Sequence, residues 1–255
     1  MKKKKNKRWI IIGFTIICLI GVIYSSVNIL IYKLSSDEQE EIKLEIKKSI
    51  IPLDDIKDNT EVQYKIDFDK LKEMNPDTVA YLKVLGTNID YVIVKGKDNS
   101  YYLNYNFNKE YNVLGWPFAD YRDRFDGSDK NIIIYGHNIK TGSMFGTLKN
   151  VLEKNWQENL DNRKITFITE SEEAIFEVFS TYVIEPEIYY TTTNFNDDIE
   201  YQTFLNKINK RSNYDYKIDV NSSDTILTLS SCTNDGKKRV VLHAKKIYSE
   251  INKIT

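Results

Sequence analysis

From Trp9 to Tyr32 the chain presents 24 consecutive uncharged residues, WIIIGFTIICLIGVIYSSVNILIY. At about 1.5 Å per residue such a run crosses a hydrocarbon core of about 30 Å, so the pattern predicts one transmembrane helix. Ser36 followed by Asp37, Glu38 and Gln39 reads as a helix start, and Ile42, Leu44, Ile46 and Ile50 predict a second helix running to about Lys48, before Pro52. A short helix over Phe68 to Met74 is expected to stop at Asn75-Pro76, because proline pushes the preceding residue out of the α region. The pattern then changes to short runs rich in β-branched and aromatic residues: 79–84, 91–94, 131–135, 164–168, 175–184, 225–229 and 239–248. Seven such strands separated by polar turns predict a mostly β fold, a closed or nearly closed barrel. Two peripheral helices interrupt it, one through Met144, Leu148, Val151, Leu152 and Trp156, the other through Ile199, Phe204, Leu205 and Ile208. The expected organisation is a flank at 1–8, a membrane span at 9–32, a helical stalk at 33–59 and a barrel domain at 60–255.

Composition agrees with one folded domain plus an appendage: 255 residues, 41% hydrophobic, with 10 Gly, 4 Pro and 2 Cys. Two cysteines cannot build a disulfide scaffold, and so few prolines and glycines exclude a low-complexity chain. Net charge changes the picture more. Lys2, Lys3, Lys4, Lys5, Lys7 and Arg8 hold six of the 36 basic residues, leaving 30 against 37 acidic ones, a net of −7 for the remainder. An acidic domain with its basic charge in one terminal cluster argues against nucleic acid as a partner. Lys and Arg favour the cytoplasmic side, so the flank predicts an inside amino terminus and an extracytoplasmic domain after Lys33. The alternative, a cleaved signal peptide, fits less well, because the run is longer than an h-region and no small-x-small site follows it. A lipoprotein is disfavoured because Cys18 lies inside the apolar run after Ile17.

Chemistry-bearing residues are scarce beyond the membrane: one cysteine, Cys232, and two histidines, His137 and His243. No cluster has zinc-ligand spacing, so no metal and no cofactor is expected. Asp120, Asp123, Asp126 and Asp129 lack the EF-hand pattern and read as a solvated turn. A disulfide between Cys18 and Cys232 would join a membrane helix to an external domain, which leaves Cys232 a free thiol, either a buried structural cysteine or a reactive one. Cys232 ends the run Ile226-Leu227-Thr228-Leu229-Ser230-Ser231-Cys232, at the tip of a strand. Arg239 opens the next strand, so it returns antiparallel beside the thiol, where a guanidinium is able to stabilise a thiolate or an oxyanion. Asn131 to Tyr135 is another apolar strand, and Gly136-His137 follows it, which places His137 at a strand tip like an acid or base. His243 alternates along the last strand and reads as structural.

Thr228-Leu229-Ser230-Ser231-Cys232, with Tyr135-Gly136-His137-Asn138 upstream and Lys238-Arg239-Val240-Val241 downstream, resembles the class B sortases, cysteine transpeptidases of Gram-positive bacteria. The likeness spans roughly 60–248 and takes in Asn75-Pro76-Asp77, Gly115 to Arg122 and Met144-Phe145. The family usually has Thr before the cysteine, where this chain has Ser231. The resemblance implies a membrane-anchored enzyme that cleaves a carboxy-terminal sorting signal of a secreted protein and joins the new carboxyl to a peptidoglycan amine. It implies Cys232 as nucleophile, His137 as acid and base, and Arg239 as oxyanion or peptide ligand. Ser230 and Ser231 are expected to line the pocket and donate to the substrate backbone, and Tyr182, Thr191 and Thr192 to shape the peptide groove. Partners would be secreted proteins bearing the sorting motif, peptidoglycan or its lipid-linked precursor, and the membrane. Two alternatives stay open: a tethered cysteine peptidase whose thioester is resolved by water, and an anchored binding protein with an inert Cys232.

Overall fold

The structure is a computed structural model that describes residues 2–52, 64–233 and 235–251. The expected boundary at 59/60 and Asn234 of the turn after Cys232 lie outside the described residues. Contacts divide the chain into two units, residues 1–41 and 42–255. Helix α1 (Lys2–Lys47) runs without interruption through Ser36, where a fresh helix start was expected. No proline or glycine falls between Val22 and Lys47, and extending an existing helix costs far less than nucleating a new one. Along the first unit Trp9, Phe14, Ile23 and Leu30 are exposed, and by length and composition this helix is able to cross a bilayer.

In the second unit the end of α1 buries Ile42 and Ile46. A two-stranded ribbon follows, β1 (Ile50–Pro52) antiparallel to β2 (Tyr64–Ile66). Helix α2 (Phe68–Met74) is capped by Asp67, whose carboxylate accepts from Lys70 N, and it ends on Asn75 ahead of Pro76. The barrel strands are β3 (Thr78–Val84), β4 (Asp90–Val94), β5 (Phe118–Ala119) and β6 (Asn131–Tyr135). After α3 (Lys154–Glu158) come β7 (Lys164–Thr169) and β8 (Glu172–Ile184); after α4 (Asp198–Lys210) come β9 (Ile226–Cys232) and β10 (Arg239–Ile251). They close in the order β10-β8-β7-β3-β4-β5-β6-β9. Closure leaves no free edge, and strand residues such as Tyr81, Leu82, Ile93, Ile133 and Leu229 are wholly buried.

All seven expected strands are present, some a few residues longer. The eighth, β5, is two residues long and escapes any periodicity argument, yet it joins β4 to β6 and so completes the barrel. The helix expected through Met144 to Trp156 differs more: it is a 3₁₀ turn at Leu148–Leu152 followed by α3, with extended Glu153 between them. Helix α4 matches the expected apolar stripe, its Tyr201, Phe204, Leu205 and Ile208 packing with Phe179, Tyr182, Tyr190 and Val241.

Two pairings govern what lies at the barrel mouth. Strand β9 runs parallel to β6, with Tyr135 beside Ser230, so both strands deliver their carboxyl ends to the same rim. Strand β10 returns antiparallel to β9 with Arg239 opposite Cys232, so its first residue begins at that rim.

Candidate active site

Cys232, Arg239 and His137 line one open cleft of about 360 Å³ at this rim. Cys232 is the last residue of β9, half-buried and a free thiol. Arg239 sits across the ladder from it, its guanidinium donating to Lys238 O at 3.1 Å. His137 lies two residues beyond β6 on a loop that closes on itself: Phe145 N donates to His137 O at 2.9 Å, and Asn138 bridges to Met144. Its ring Nε2 is 2.8 Å from Leu103 O. A carbonyl only accepts, so Nε2 carries a hydrogen and Nδ1 is left to exchange protons.

Gly136 precedes the histidine because nothing larger fits. A Cβ there would lie 2.4 Å from Cγ of the Phe145 ring, which covers the turn. The β6 and β9 tips are tied directly, since Ser231 Oγ donates to Gly136 O at 2.7 Å. That bond occupies the only hydroxyl proton of Ser231, so this residue holds the Cys232 strand to the His137 strand rather than donating to a peptide. Serine retains the hydroxyl that the family's usual threonine would place there. Ser230 lines the cleft too, its hydroxyl 3.0 Å from that of Tyr190.

Three expected groove residues lie elsewhere. Tyr182 is 3% exposed and its hydroxyl meets His243 Nε2 at 2.8 Å in the interior. Thr191 and Thr192 turn their hydroxyls onto Ile188 O and Tyr189 O, closing their own turn. The cleft wall at this place is Tyr190, which sequence reasoning passed over. Burial pushes its phenol above the usual value, against the Ser230 hydrogen bond and the Arg239 charge. Asn99, Leu103, Phe118 and Tyr135 complete the wall; no periodicity marked them as site residues.

His243 is fully buried and neutral, its pKa lowered to about 3 by burial, with the Arg211 charge adding. Thr228 Oγ1 lies 2.6 Å from Asn131 Oδ1 and 2.8 Å from His243 Nδ1. Its single proton goes to the amide oxygen, so Nδ1 carries the ring hydrogen and Nε2 accepts from Tyr182. Asn131 Nδ2 in turn donates to Thr192 O at 2.9 Å and Tyr190 O at 3.3 Å. A buried polar chain thus ends on the backbone of the Tyr190 wall.

The aspartates expected in a solvated turn are mostly inside. Asp120, Asp123 and Asp129 are buried, while Asp126 is exposed and bonds Ser128. Burial works against the charged form of Asp120. The opposing hydrogen bonds from Arg122, Asn99 and Tyr135 are stronger and hold its carboxyl below the usual range. Asp123 is pushed up to about 8 by burial, the Ile133 N–H opposing and the Asp120 and Asp129 charges adding. Among the described residues no group of three or more His, Cys, Asp or Glu side chains is placed to hold a metal ion.

A closed barrel whose rim gathers one cysteine, one histidine and one arginine in a cleft has the architecture of a thiol acyl-transfer enzyme, and comparison with known proteins sharpens this. The sortase domain family matches residues 82–247. Sortase B of Listeria monocytogenes is 33% identical over 220 residues, 84% of this chain and 88% of that protein. The crystal structure of sortase B from Bacillus anthracis superposes with a TM-score of 0.72 at 33% identity, covering 84% of this chain and 98% of that one. A substrate complex of Staphylococcus aureus sortase B superposes with a TM-score of 0.66 at 31% identity, covering 74% and 85%. The chain belongs to the sortase family. Within that family it is a class B sortase, a cysteine transpeptidase.

Proposed function

We propose that Cys232 is the nucleophile, His137 the proton-transfer group and Arg239 the oxyanion ligand of a membrane-anchored transpeptidase. The observation that carries this reading is the convergence of the outer domain's only cysteine with His137 and Arg239 on one cleft. Cys232 gives its thiol proton to His137 Nδ1 and the thiolate attacks the scissile carbonyl carbon of a sorting peptide, forming the C–S bond as the carbonyl π bond opens to a tetrahedral oxyanion. Arg239, a planar donor that stays charged, hydrogen-bonds that oxygen. Collapse breaks the C–N bond, and the departing amine takes a proton from His137 Nδ1 while Leu103 O holds the opposite edge of the ring. An incoming amine then attacks the thioester, gives its proton to the same nitrogen and releases the Cys232 thiolate.

Several observations support the finer parts of this reading. The substrate complex of the Staphylococcus aureus relative supports a sorting-signal peptide in the cleft. The apolar stretch of α1 behind a basic flank supports a single-pass anchor with the amino terminus in the cytoplasm and the barrel facing the cell wall. Peptidoglycan, or its lipid-linked precursor, is the amine donor that such a location supplies, and secreted proteins with a carboxy-terminal signal are the acyl donors.

The test uses the full-length chain in detergent with sorting pentapeptides of the Asn-Pro, Leu-Pro and Ser-Pro types. Cys232→Ala is expected to abolish cleavage and His137→Ala to lower it about 10²–10⁴-fold, each with near-native thermal unfolding. A polyglycine or diaminopimelate-type amine should yield the amide-linked product. Cleavage that gives only the free acid would make the protein a cysteine peptidase. Wild-type turnover in Cys232→Ala would remove the cysteine from the mechanism.

A further inference from the structure

The Asp120 carboxylate is wholly buried, yet it answers to the cleft on two sides. Its Oδ2 accepts from Asn99 Nδ2 at 2.8 Å and from the Tyr135 hydroxyl at 2.9 Å, and both of those side chains line the cleft. Arg122 grips the same carboxylate with two parallel bonds of 2.7 Å, Nε to Oδ1 and a terminal nitrogen to Oδ2. That terminal nitrogen also donates to Thr191 O at 2.9 Å, on the residue next to Tyr190. One guanidinium therefore links the Asn99 and Tyr135 part of the cleft lining to the segment that carries Tyr190.

The Tyr190 segment is held at three successive carbonyls. Asn131 takes those of residues 190 and 192 from the buried side, and Arg122 takes that of residue 191 from the more exposed side. Tyr190 belongs to the buried apolar cluster that includes Phe204 and Leu205 of α4 and turns its hydroxyl to Ser230, two residues before Cys232. The inner hold comes from a buried, fully paired chain. The outer hold rests on Arg122 alone, whose side chain is 34% exposed.

We propose that Arg122, fixed by Asp120, is a positioning residue that holds the Tyr190 segment in place against the Asn99 and Tyr135 part of the cleft and so governs how tightly the acyl-donor peptide is held. This rests on the transpeptidase reading of the same cleft. Arg122 touches neither the thiol nor the imidazole, so its removal should spoil binding of the peptide more than the chemical step. Lysine keeps the charge but lacks the planar fork needed to hold Asp120 by two bonds and reach Thr191 O as well.

Steady-state cleavage of the best sorting pentapeptide by the full-length chain in detergent tests this. Arg122→Lys is expected to raise KM about tenfold and to change kcat less than about threefold. Reaction of Cys232 with a small methanethiosulfonate reagent, followed on its own tryptic peptide, should stay within about twofold of wild type, a readout that a general loss of structure would move. In a Tyr190→Ala background, where the wall to be positioned is gone, Arg122→Lys should alter KM by less than about twofold. An unchanged KM in the single variant overturns the inference, as does an undiminished tenfold effect without the Tyr190 ring. If Arg122→Lys does not fold, Arg122→Gln is judged by the same two outcomes. A wild-type chain that cleaves no sorting peptide overturns the transpeptidase reading and this inference with it. An active wild type with an indifferent Arg122 overturns the inference alone.

Discussion

At the scale of single residues, Asp123 is the most unusual titrating group near the rim. One of its oxygens accepts from Ile133 N at 2.9 Å, and the other is buried without a hydrogen-bond partner. Asp120 and Asp129 lie close enough to add their charges, and Arg122 relieves them only in part. A carboxyl in such surroundings keeps its proton, and its pKa of about 8 stands far above the roughly 3.9 of an unfolded chain. Between those two values the native state binds a proton that the unfolded state has released, so stability falls as pH rises through that window. Below about pH 4 both states are protonated and the contribution is complete; above about 8 it is gone. Asparagine imitates the protonated acid and does not titrate. Asp123→Asn should therefore unfold near the wild-type temperature at pH 4 and at least about 5 °C above it at pH 8.5. Thermal unfolding of both chains across that range decides the matter, and parallel pH profiles would place the proton elsewhere.

At the scale of elements, the parallel contact of β6 with β9 brings the histidine and cysteine to one rim, and its tightest point is Gly136. Alanine at that position would push its methyl group into the Phe145 ring, so either the ring or the β6 tip must move. The ring is 1% exposed and fixed by core packing, so the backbone gives way and carries His137 with it. Gly136→Ala should lower peptide cleavage about 100-fold, the order expected when a reacting group is displaced by roughly 1 Å. Gly136→Ala with Phe145→Leu, which shortens the obstructing side chain, should recover part of that loss in the same assay. Failure to recover would mean that the ring is not the obstacle. The sequence made this region legible because apolar runs ending in polar tips identify strands and their last residues, which is why Cys232, Arg239 and His137 were expected at strand tips, where the fold places them. It said less about side chains supplied by turns. Asn99 and Leu103 come from one short connecting segment and Tyr190 from another far along the chain, and only the folded barrel brings the two together. Thr191 and Thr192 follow Tyr190, which lines the cleft, but their hydroxyls serve their own turn. The short β5 and the divided helix before β7 were hidden for a related reason: two residues have no period, and the extended Glu153 interrupts a run whose apolar spacing continues unbroken on either side of it.

At the scale of the whole molecule, α1 belongs to both units, and this decides where the chain can be cut. Its apolar run exposes large side chains over its whole length, whereas Ile42 and Ile46 are 6% and 3% exposed and count with the barrel. Lys43 extends its ammonium over the Tyr91 ring at 4.3 Å, and Lys43, Ile46 and Ile50 border a small gap beside Val92 and Trp116. The last turns of the helix therefore act as a lid on the β4 side of the barrel. Burying two isoleucines is worth about 3–6 kcal/mol at roughly 1.5–3 kcal/mol each. A fragment beginning at Lys33 should keep those contacts and unfold within about 2 °C of the full-length chain in detergent. A fragment beginning at Ile50 should lose them and unfold at least about 6 °C lower, at the roughly 2–4 °C per kcal/mol expected for a domain of this size. Differential scanning calorimetry of the three chains measures both differences. Equal unfolding temperatures for the two fragments would show that the helix end rests on the barrel without stabilising it. Cleavage of the sorting peptide by the longer fragment at the full-length rate would further separate the two tasks of α1, tethering by its apolar run and packing by its last two turns.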